Sequence, residues 1–429
     1  MMVGERVRRW LAVAVLAGMP AAVPAAPAGT LEETVADRGC ATLSARVDEV
    51  PGDGPVFLRS YDGPVGRAPP AEPALATAAF TYDNALAAIA LTACGRSTQA
   101  RRIGLALLAA ATSDRSGERG RLRNAYRAGV QREMPVPPNG WWHAAGNHWA
   151  EDPIQVGTAT GNVAWAALAL LTLADDRAAQ PDEAARFREG AAALAAWTVT
   201  HTAAPRGDGG FTGGMHGYDD APRTLGWKST EHNTDLAALF EWLARTGVPG
   251  DWPAHARAAR TFLAAQWDAS GGRFLIGTGP DGTPNRRVSG LDAQLWPLLL
   301  PGAPIAWGKA LAYAERAHGV EDGGVAVGFD FNDDRDGLWV EGTAQAALVY
   351  RRFGRGADAG RLLAEVARQF GPGGYLWATR EPRITTGLAL APDSTGADFH
   401  YERRPHLGAT AWAVLAATGW NPFTGTRIP

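Results

Sequence analysis

Six stretches of this chain are apolar around almost the whole circumference of a helix, and all but the last are followed by a helix with one charged face. Asn84-Ala85-Leu86-Ala87-Ala88-Ile89-Ala90-Leu91 and Val163-Ala164-Trp165-Ala166-Ala167-Leu168-Ala169-Leu170-Leu171 are typical of the first kind. A helix without a polar stripe has to be surrounded by protein, whereas one with a polar stripe covers the outside. The periodicity predicts inner helices near 80–94, 161–175, 230–246, 289–300, 339–352 and 406–418, and outer helices near 97–112, 182–201, 252–267, 304–318 and 357–370. Residues 31–50 supply a sixth outer helix ahead of the first inner one. Twelve helices in six pairs predict an all-α, closed (α/α)6 toroid, in which the helix at 406–418 lies beside the first pair. Closure removes the exposed end that an open helical array must cap. The inner helices start about 50–80 residues apart, outside the regular ~34–47-residue period of common open repeats. The extra length forms Gly-, Pro-, Trp- and Asp-rich loops before the inner helices. Long loops gathered on one face of a rigid scaffold usually carry function.

The N-terminus reads as an export signal over residues 1–28, leaving a single domain over 29–429. Arg6, Arg8 and Arg9 precede an apolar run over 10–19, and Ala26-Pro27-Ala28 offers a small-x-small cleavage site. The run is shorter than the ~20 residues that span a bilayer, and Arg8-Arg9-Trp10-Leu11 fits the twin-arginine route. The expected location is therefore the periplasm or the extracellular space, with no stable membrane insertion. A formal charge of −3 with no long basic block after this segment argues against nucleic acid as a partner. Oligomeric state is not set by the sequence. The two cysteines, Cys40 and Cys94, form either one disulfide or two buried thiols in an exported protein. Without an adjacent histidine they make no structural zinc site.

Carboxylates cluster where the long loops enter the inner helices. Tyr82-Asp83-Asn84 opens the first, and His148-Trp149-Ala150-Glu151-Asp152 lies in the loop before the second. Ser229-Thr230-Glu231-His232-Asn233-Thr234-Asp235 opens the third, Gly290-Leu291-Asp292 the fourth, and Leu338-Trp339-Val340-Glu341-Gly342 the fifth. The sixth follows Phe399-His400-Tyr401-Glu402-Arg403-Arg404-Pro405-His406. Acids are favoured in any first helical turn because they offset the positive end of the helix dipole. In a toroid, however, six such ends converge on one mouth, and a cap needs no Trp, Tyr, His and Asn around it. Asp235 returns beneath Glu231 one turn later, a repulsive pair that raises a carboxyl pKa and keeps a proton available. Asp83 enters an entirely apolar run, and Gly342 beside Glu341 permits close approach of a ligand or another helix.

Cleavage of a glycosidic bond needs one carboxylic acid to protonate the leaving oxygen and a second carboxylate to act on water or on the anomeric carbon. Glu231 is the expected acid, with Asp83, Asp292 or Glu341 as the second group. Tyr82, Asn84, Trp149, Asp152, Asn162 and His232 are expected to bind the sugar, with Asn233, Asp235, Trp339, Tyr401 and Arg404. Sixteen tryptophans, many in predicted loops, suit the apolar faces of sugar rings. No cofactor or metal is expected. The acidic runs Asp219-Asp220 and Asn332-Asp333-Asp334-Arg335-Asp336 lack the spacing of an EF-hand and read as surface loops. Gly207-Asp208-Gly209-Gly210-Phe211-Thr212-Gly213-Gly214 lacks the lysine of a phosphate cradle.

At this point the chain resembles the six-hairpin glycosidase superfamily over roughly residues 31–420. The resemblance rests on the helix alternation and on four helix entries: Tyr82-Asp83-Asn84-Ala85-Leu86, Thr160-Gly161-Asn162-Val163-Ala164-Trp165, Ser229-Thr230-Glu231-His232-Asn233 and Val340-Glu341-Gly342-Thr343. It implies a glycoside hydrolase acting on an oligo- or polysaccharide bound across the inner-helix N-termini, without assigning one catalytic family. Three alternatives share the fold. A polysaccharide lyase would use Tyr401, Arg403, Arg404 and His406 with His232 and Asn233, and a sugar epimerase or isomerase would pair His232 with His406. The third is a glycan-binding or envelope protein without chemistry.

Overall fold

The structure, a computed structural model, describes residues 30–62, 72–131, 137–204 and 208–428. The expected signal segment 1–28 lies outside the described residues. In chain order the helices are α1 (Leu31–Asp48), α2 (Thr81–Ala93), α3 (Ser97–Thr112), α4 (Thr160–Ala174), α5 (Pro181–Thr202) and α6 (Thr230–Thr246). They continue as α7 (Trp252–Gln266), α8 (Leu291–Leu295), α9 (Lys309–Ala317), α10 (Val340–Arg352), α11 (Gly356–Arg368) and α12 (Leu407–Thr418). The even-numbered helices form the inner ring. Each packs on its neighbours in the order α2, α4, α6, α8, α10, α12, and α12 returns to α2. The odd-numbered helices cover them, and α1 closes the outer layer against α12, α11, α2 and α3. All residues of α12 except Thr418, and all of α4 except Asn162, are buried, as a helix with no polar stripe requires.

The fourth pair departs from the expected regular helices. A continuous helix over 289–300 is replaced by the five-residue α8 and a 3-10 turn at Trp296–Leu299. Pro297 is the cause, because it lacks an N–H and its ring clashes with the carbonyl one turn earlier. Its outer partner likewise begins as a 3-10 turn, Ile305–Gly308, after Pro304 and only then becomes α9.

The loops are stitched together by short antiparallel ladders at the mouth. The strand leading into α2, Ala78–Phe80, pairs with Ala125–Arg127 in the loop before α4. Thr158–Ala159 before α4 pairs with Gly214–His216 before α6. Lys228–Ser229 before α6 pairs with Gly277–Thr278 before α8. Tyr61 bridges to His406, which joins the last loop to the first.

A second device recurs at the fourth residue of five inner helices. Asn84 accepts from Leu58 N–H at 2.8 Å and donates to the Leu58 carbonyl at 3.0 Å. Asn233 does the same with Phe211 at 2.8 and 3.1 Å, and Gln294 with Phe274 at 2.9 Å in both directions. Thr343 and Thr410 accept from Phe329 and Leu376 N–H at 3.0 and 2.9 Å. In α4 that place is Val163. These buried side chains satisfy backbone groups of a segment that passes behind the helix. Asn84 and Asn233 are thus structural clamps, which corrects the expectation that they bind sugar.

Cys40 in α1 and Cys94 at the end of α2 form a disulfide with a Cα–Cα distance of 5.9 Å, deciding between the two states the sequence left open. It joins the first outer helix to the first inner one, and bridges of this kind typically add about 2–4 kcal/mol.

The clamp reading predicts that Asn233→Leu, which leaves the Phe211 N–H and carbonyl buried without partners, lowers unfolding free energy by about 2–4 kcal/mol. Urea denaturation checks this, and an unchanged midpoint would contradict it.

Candidate active site

Each inner helix brings its first turn to the same mouth. Asp83, Glu231, Asp292 and Glu341 all lie in such turns, where the helix dipole favours negative charge. The structure brings these four together. Asp83, Asp292 and Glu341 are buried, while Glu231 is half-buried and reaches the water side. His406, the N-cap residue of α12, sits between two of them, with Nε2 3.4 Å from Asp83 and Nδ1 3.7 Å from Glu341. Gly408 makes this approach possible. A Cβ there would stand 2.7 Å from Asp83 Oδ1 and 3.0 Å from Glu341 Oε2.

Tyr82 organises the floor. Its hydroxyl donates to Glu341 Oε1 at 2.6 Å and accepts from the Trp412 indole at 2.8 Å. Trp165 meets its ring edge-on at 5.4 Å, and Trp296 lies 6.4 Å away. Gln345 also donates to Glu341 Oε1, at 3.3 Å. Glu341 Oε2 is left buried without a hydrogen-bond partner. Asp235, one turn below Glu231, is fully buried with neither oxygen bonded; the Trp165 indole faces it without completing a hydrogen bond.

Electrostatics follow from this crowding. Burial, then Asp292 and Glu341, lift the Glu231 pKa well above the carboxylate range. Burial, then Glu231 and Asp292, do the same to Asp235. Burial pushes Asp292 up to about 6. Glu341 is pushed up to about 7 by burial, held back by His406 and the Tyr82 hydroxyl. His406 is drawn down by burial, yet Asp83 and Glu341 outweigh this and raise it. His232 is pulled to about 4 by burial and is therefore neutral, packed on Trp227 at 5.4 Å with Nδ1 unbonded. Acids that share a low-dielectric hollow cannot all ionise, so at least one proton is retained near neutral pH.

The other expected residues divide clearly. Trp339 and Tyr401 stack at 5.5 Å, and the Tyr401 pKa is raised well above normal by burial and then by Glu341, so both belong to the site. His232 lies at its edge beside Gly161. Asp152 does not belong: it accepts from Ile154 and Gln155 N–H at 2.8 Å and closes its own turn. Asn162 donates to Asn124, which braces Ala159. Arg404 is turned to Glu72 at 3.3 Å, on the rim. Trp149 is half-exposed on the hairpin Trp141–His143 with His148–Ala150, where Arg127 covers its ring at 3.3 Å, and no contact joins it to the acids. The short polar side chains were misassigned because a helix-start Asn or Asp serves a turn as readily as a ligand.

His406, which the sequence offers only for the alternative chemistries, stands at the centre of this site, and Tyr61, Trp165, Trp296, Trp412 and Gly408, which the sequence does not single out, surround it. Tyr61 stacks on His406 at 5.0 Å. The three tryptophans sit in apolar runs and read as core, and they form the floor of the hollow as well. Gly408, one residue into α12, was legible by the argument applied to Gly342. The acidic loops have structural partners. Asp219 pairs with Arg115 and Arg123 at 2.6 Å. Asp330, Asp334 and Asp336 place one oxygen each within 4.8 Å of one another, but Asp330 caps Phe331 and Gly337 N–H, and the other two hold Thr385.

No sequence-family profile matches the chain, and no curated protein is similar enough to match it. Solved structures do match. A glycosidase superposes with a TM-score of 0.60 at 13% identity, covering 90% of this chain and 96% of its own. A GH63 mannosylglycerate hydrolase from Thermus thermophilus, solved with glucose, gives 0.54 at 15% identity over 90% and 99%. A D-mannose isomerase gives 0.57 at 11% identity over 92% and 99%. The fold is the (α/α)6 toroid of these solved structures. At such identities this likeness speaks for the (α/α)6 toroid, and hydrolase and isomerase neighbours share it.

The site predicts a stability effect with a definite sign. Glu341 is raised from its ordinary 4.5 to about 7, so between those pH values the folded state binds more protons and stability falls as pH rises. Glu341→Gln removes that fall. The variant is expected to be more stable than the parent at pH 8 by about 1–3 kcal/mol in denaturant titrations, and a less stable variant would contradict the reading.

Proposed function

We propose that this chain is a glycoside hydrolase, with Glu231 as general acid and Glu341 as the second carboxylate. The observation that carries this is the asymmetry of the pair. Glu231 is held protonated at the water-facing edge of the hollow, while Glu341 has one oxygen fixed by Tyr82 and Gln345 and the other free. In this reading the Glu231 proton passes to the glycosidic oxygen as the bond from that oxygen to the anomeric carbon breaks. Glu341 Oε2 either takes a proton from the water that adds to that carbon or attacks it first. His406 and Tyr82 keep Glu341 ionisable despite its burial. Asp83 holds His406, and Asp292 adds to the charge that keeps Glu231 protonated. Tyr401, stacked on the buried Trp339, offers an aromatic ring to a sugar. With the expected export segment, the substrate is an oligo- or polysaccharide met outside the cytoplasm.

The charge of the hollow favours hydrolysis over lyase chemistry. Elimination from a uronic acid needs a cation at the sugar carboxylate. Among the described residues, no Arg or Lys acts on Glu231, Asp235 or Asp292. Arg403 stacks on Trp377 at 4.6 Å, and Arg404 pairs with Glu72. A neutral or basic sugar fits five carboxyl groups better than an acidic one.

The test is a screen of the purified mature protein on a broad glycan panel, reading reducing ends and ultraviolet absorbance together. Reducing ends without absorbance are expected. Glu231→Gln and Glu341→Gln are each expected to lower kcat by about 10²–10⁴-fold, whereas Asp152→Asn leaves it unchanged. An absorbing product would point to a lyase, aldose–ketose conversion of a free sugar to an isomerase, and binding without turnover to a glycan-binding protein.

A further inference from the structure

We propose that the hairpin 383–402 roofs the half of the mouth that carries Glu231, Asp292 and Glu341, and so confines the site to the ends of sugar chains. The chemistry at that end rests on the hydrolase reading above; the roof rests on contacts alone.

The hairpin belongs to the loop before α12. Its strands Arg383–Thr385 and His400–Glu402 pair antiparallel. From that root it crosses the neighbouring pairs in turn. Thr385 donates its N–H to Asp336 at 2.9 Å and its hydroxyl to Asp334, both in the loop before α10. At Gly387 a Cβ would stand 3.2 Å from Val288, in the loop before α8, and 3.0 Å from Asn332. At the tip, Asp393 lies 3.9 Å from Arg223, in the loop before α6. α12 and α6 are three places apart in a ring of six. One connection therefore spans half the ring, and it is the half whose helices present Glu231, Asp292 and Glu341.

Its inner side is fixed by packing. Tyr401 stacks on Trp339, lies 6.0 Å from Phe331 and 5.3 Å from Phe399, and its hydroxyl is close enough to Glu341, Asp292 and Glu231 to feel their charge. Leu388 packs on the core and accepts from Phe399 N–H at 3.1 Å, which closes the base of the tip. The Arg223–Asp393 pair is exposed on both sides, and pairs of that kind are screened and weak. It marks where the tip lies and does not hold it there. A polymer laid across all six helix ends would have to pass through this segment, whereas a chain end entering beside it would not.

Two measurements test the roof. In the full-length mature protein, Arg223→Cys combined with Asp393→Cys should be bridged by a short bis-maleimide cross-linker, which does not need the Cα atoms within the ~7 Å of a direct disulfide, read by peptide mapping. Absence of that bridge would overturn the placement, with or without enzyme activity. On a linear polysaccharide identified by the panel, the parent should release only terminal units from the first minutes. Replacing 390–397 by Gly-Gly, with Leu388 and Phe399 kept, should raise internal cleavage relative to aryl-glycoside hydrolysis by about tenfold or more. Internal fragments from the parent, or an unchanged product pattern in a folded shortened variant, would overturn the proposal. If the shortened variant does not fold, the bridged double variant decides: it should still release terminal units and still spare internal bonds. A double variant that forms the bridge while the parent hydrolyses nothing would sink the hydrolase reading and leave the roof standing.

Discussion

Carboxylates delivered by four different helices to one water-poor hollow repel one another, and most of what is particular to this molecule follows from that repulsion. Each acid is locally reasonable, since a helix N-terminus favours negative charge. Together they are costly, because burial disfavours ionisation and each neighbour disfavours it further. Burial and then these neighbours hold protons on Glu231 and Asp235, burial alone pushes Asp292 up to about 6, burial and then Asp83 and Asp292 push Glu341 up to about 7, and His406 is drawn toward its charged form. A proton donor and a carboxylate that can ionise near neutral pH thus arise from one arrangement. Strained electrostatics of this kind cluster where proteins do chemistry.

Holding such a group together needs a scaffold that does not relax. The closed inner ring, the ladders and bridges that join most neighbouring loops, and the five clamps at the fourth helical residue supply it. The clamps tie the start of an inner helix to the chain segment behind it, so the acids at positions two and three of those helices cannot drift apart separately. The Cys40–Cys94 bridge adds a covalent tie between the first two helices. The roofing hairpin uses the same economy of parts: Tyr401 packs the scaffold through Trp339 and also faces the acids.

The parts of this arrangement that were legible in the sequence are those with a period. All-round apolar runs located the inner helices to within a residue or two wherever no proline intervened, and the four acids were found because each opens such a run. Pro297 broke the fourth inner helix, although the residue itself was visible. Asn84 and Asn233 were misread because the difference between a clamp and a ligand lies in Leu58 and Phe211, more than twenty residues upstream, and no local pattern records that pairing. His406 was undervalued for the opposite reason. It opens its helix as the acids do, but only the ring's closure puts it between Asp83 and Glu341. Trp149 and Arg404 have the chemistry of sugar ligands and occupy the rim, turned to Arg127 and Glu72.

The central claim is that acids from separate helices titrate as one unit, and carboxyl-carbon NMR of the mature protein measures it most directly. With Glu residues labelled, the Glu341 resonance in the parent should titrate near pH 7, and in Asp292→Asn, which removes an acid ionised at that pH, its midpoint should fall toward the ordinary carboxylate range as one repelling neighbour is lost. A Glu341 midpoint that is ordinary in the parent, or unmoved by that substitution, would show that these groups do not share a hollow.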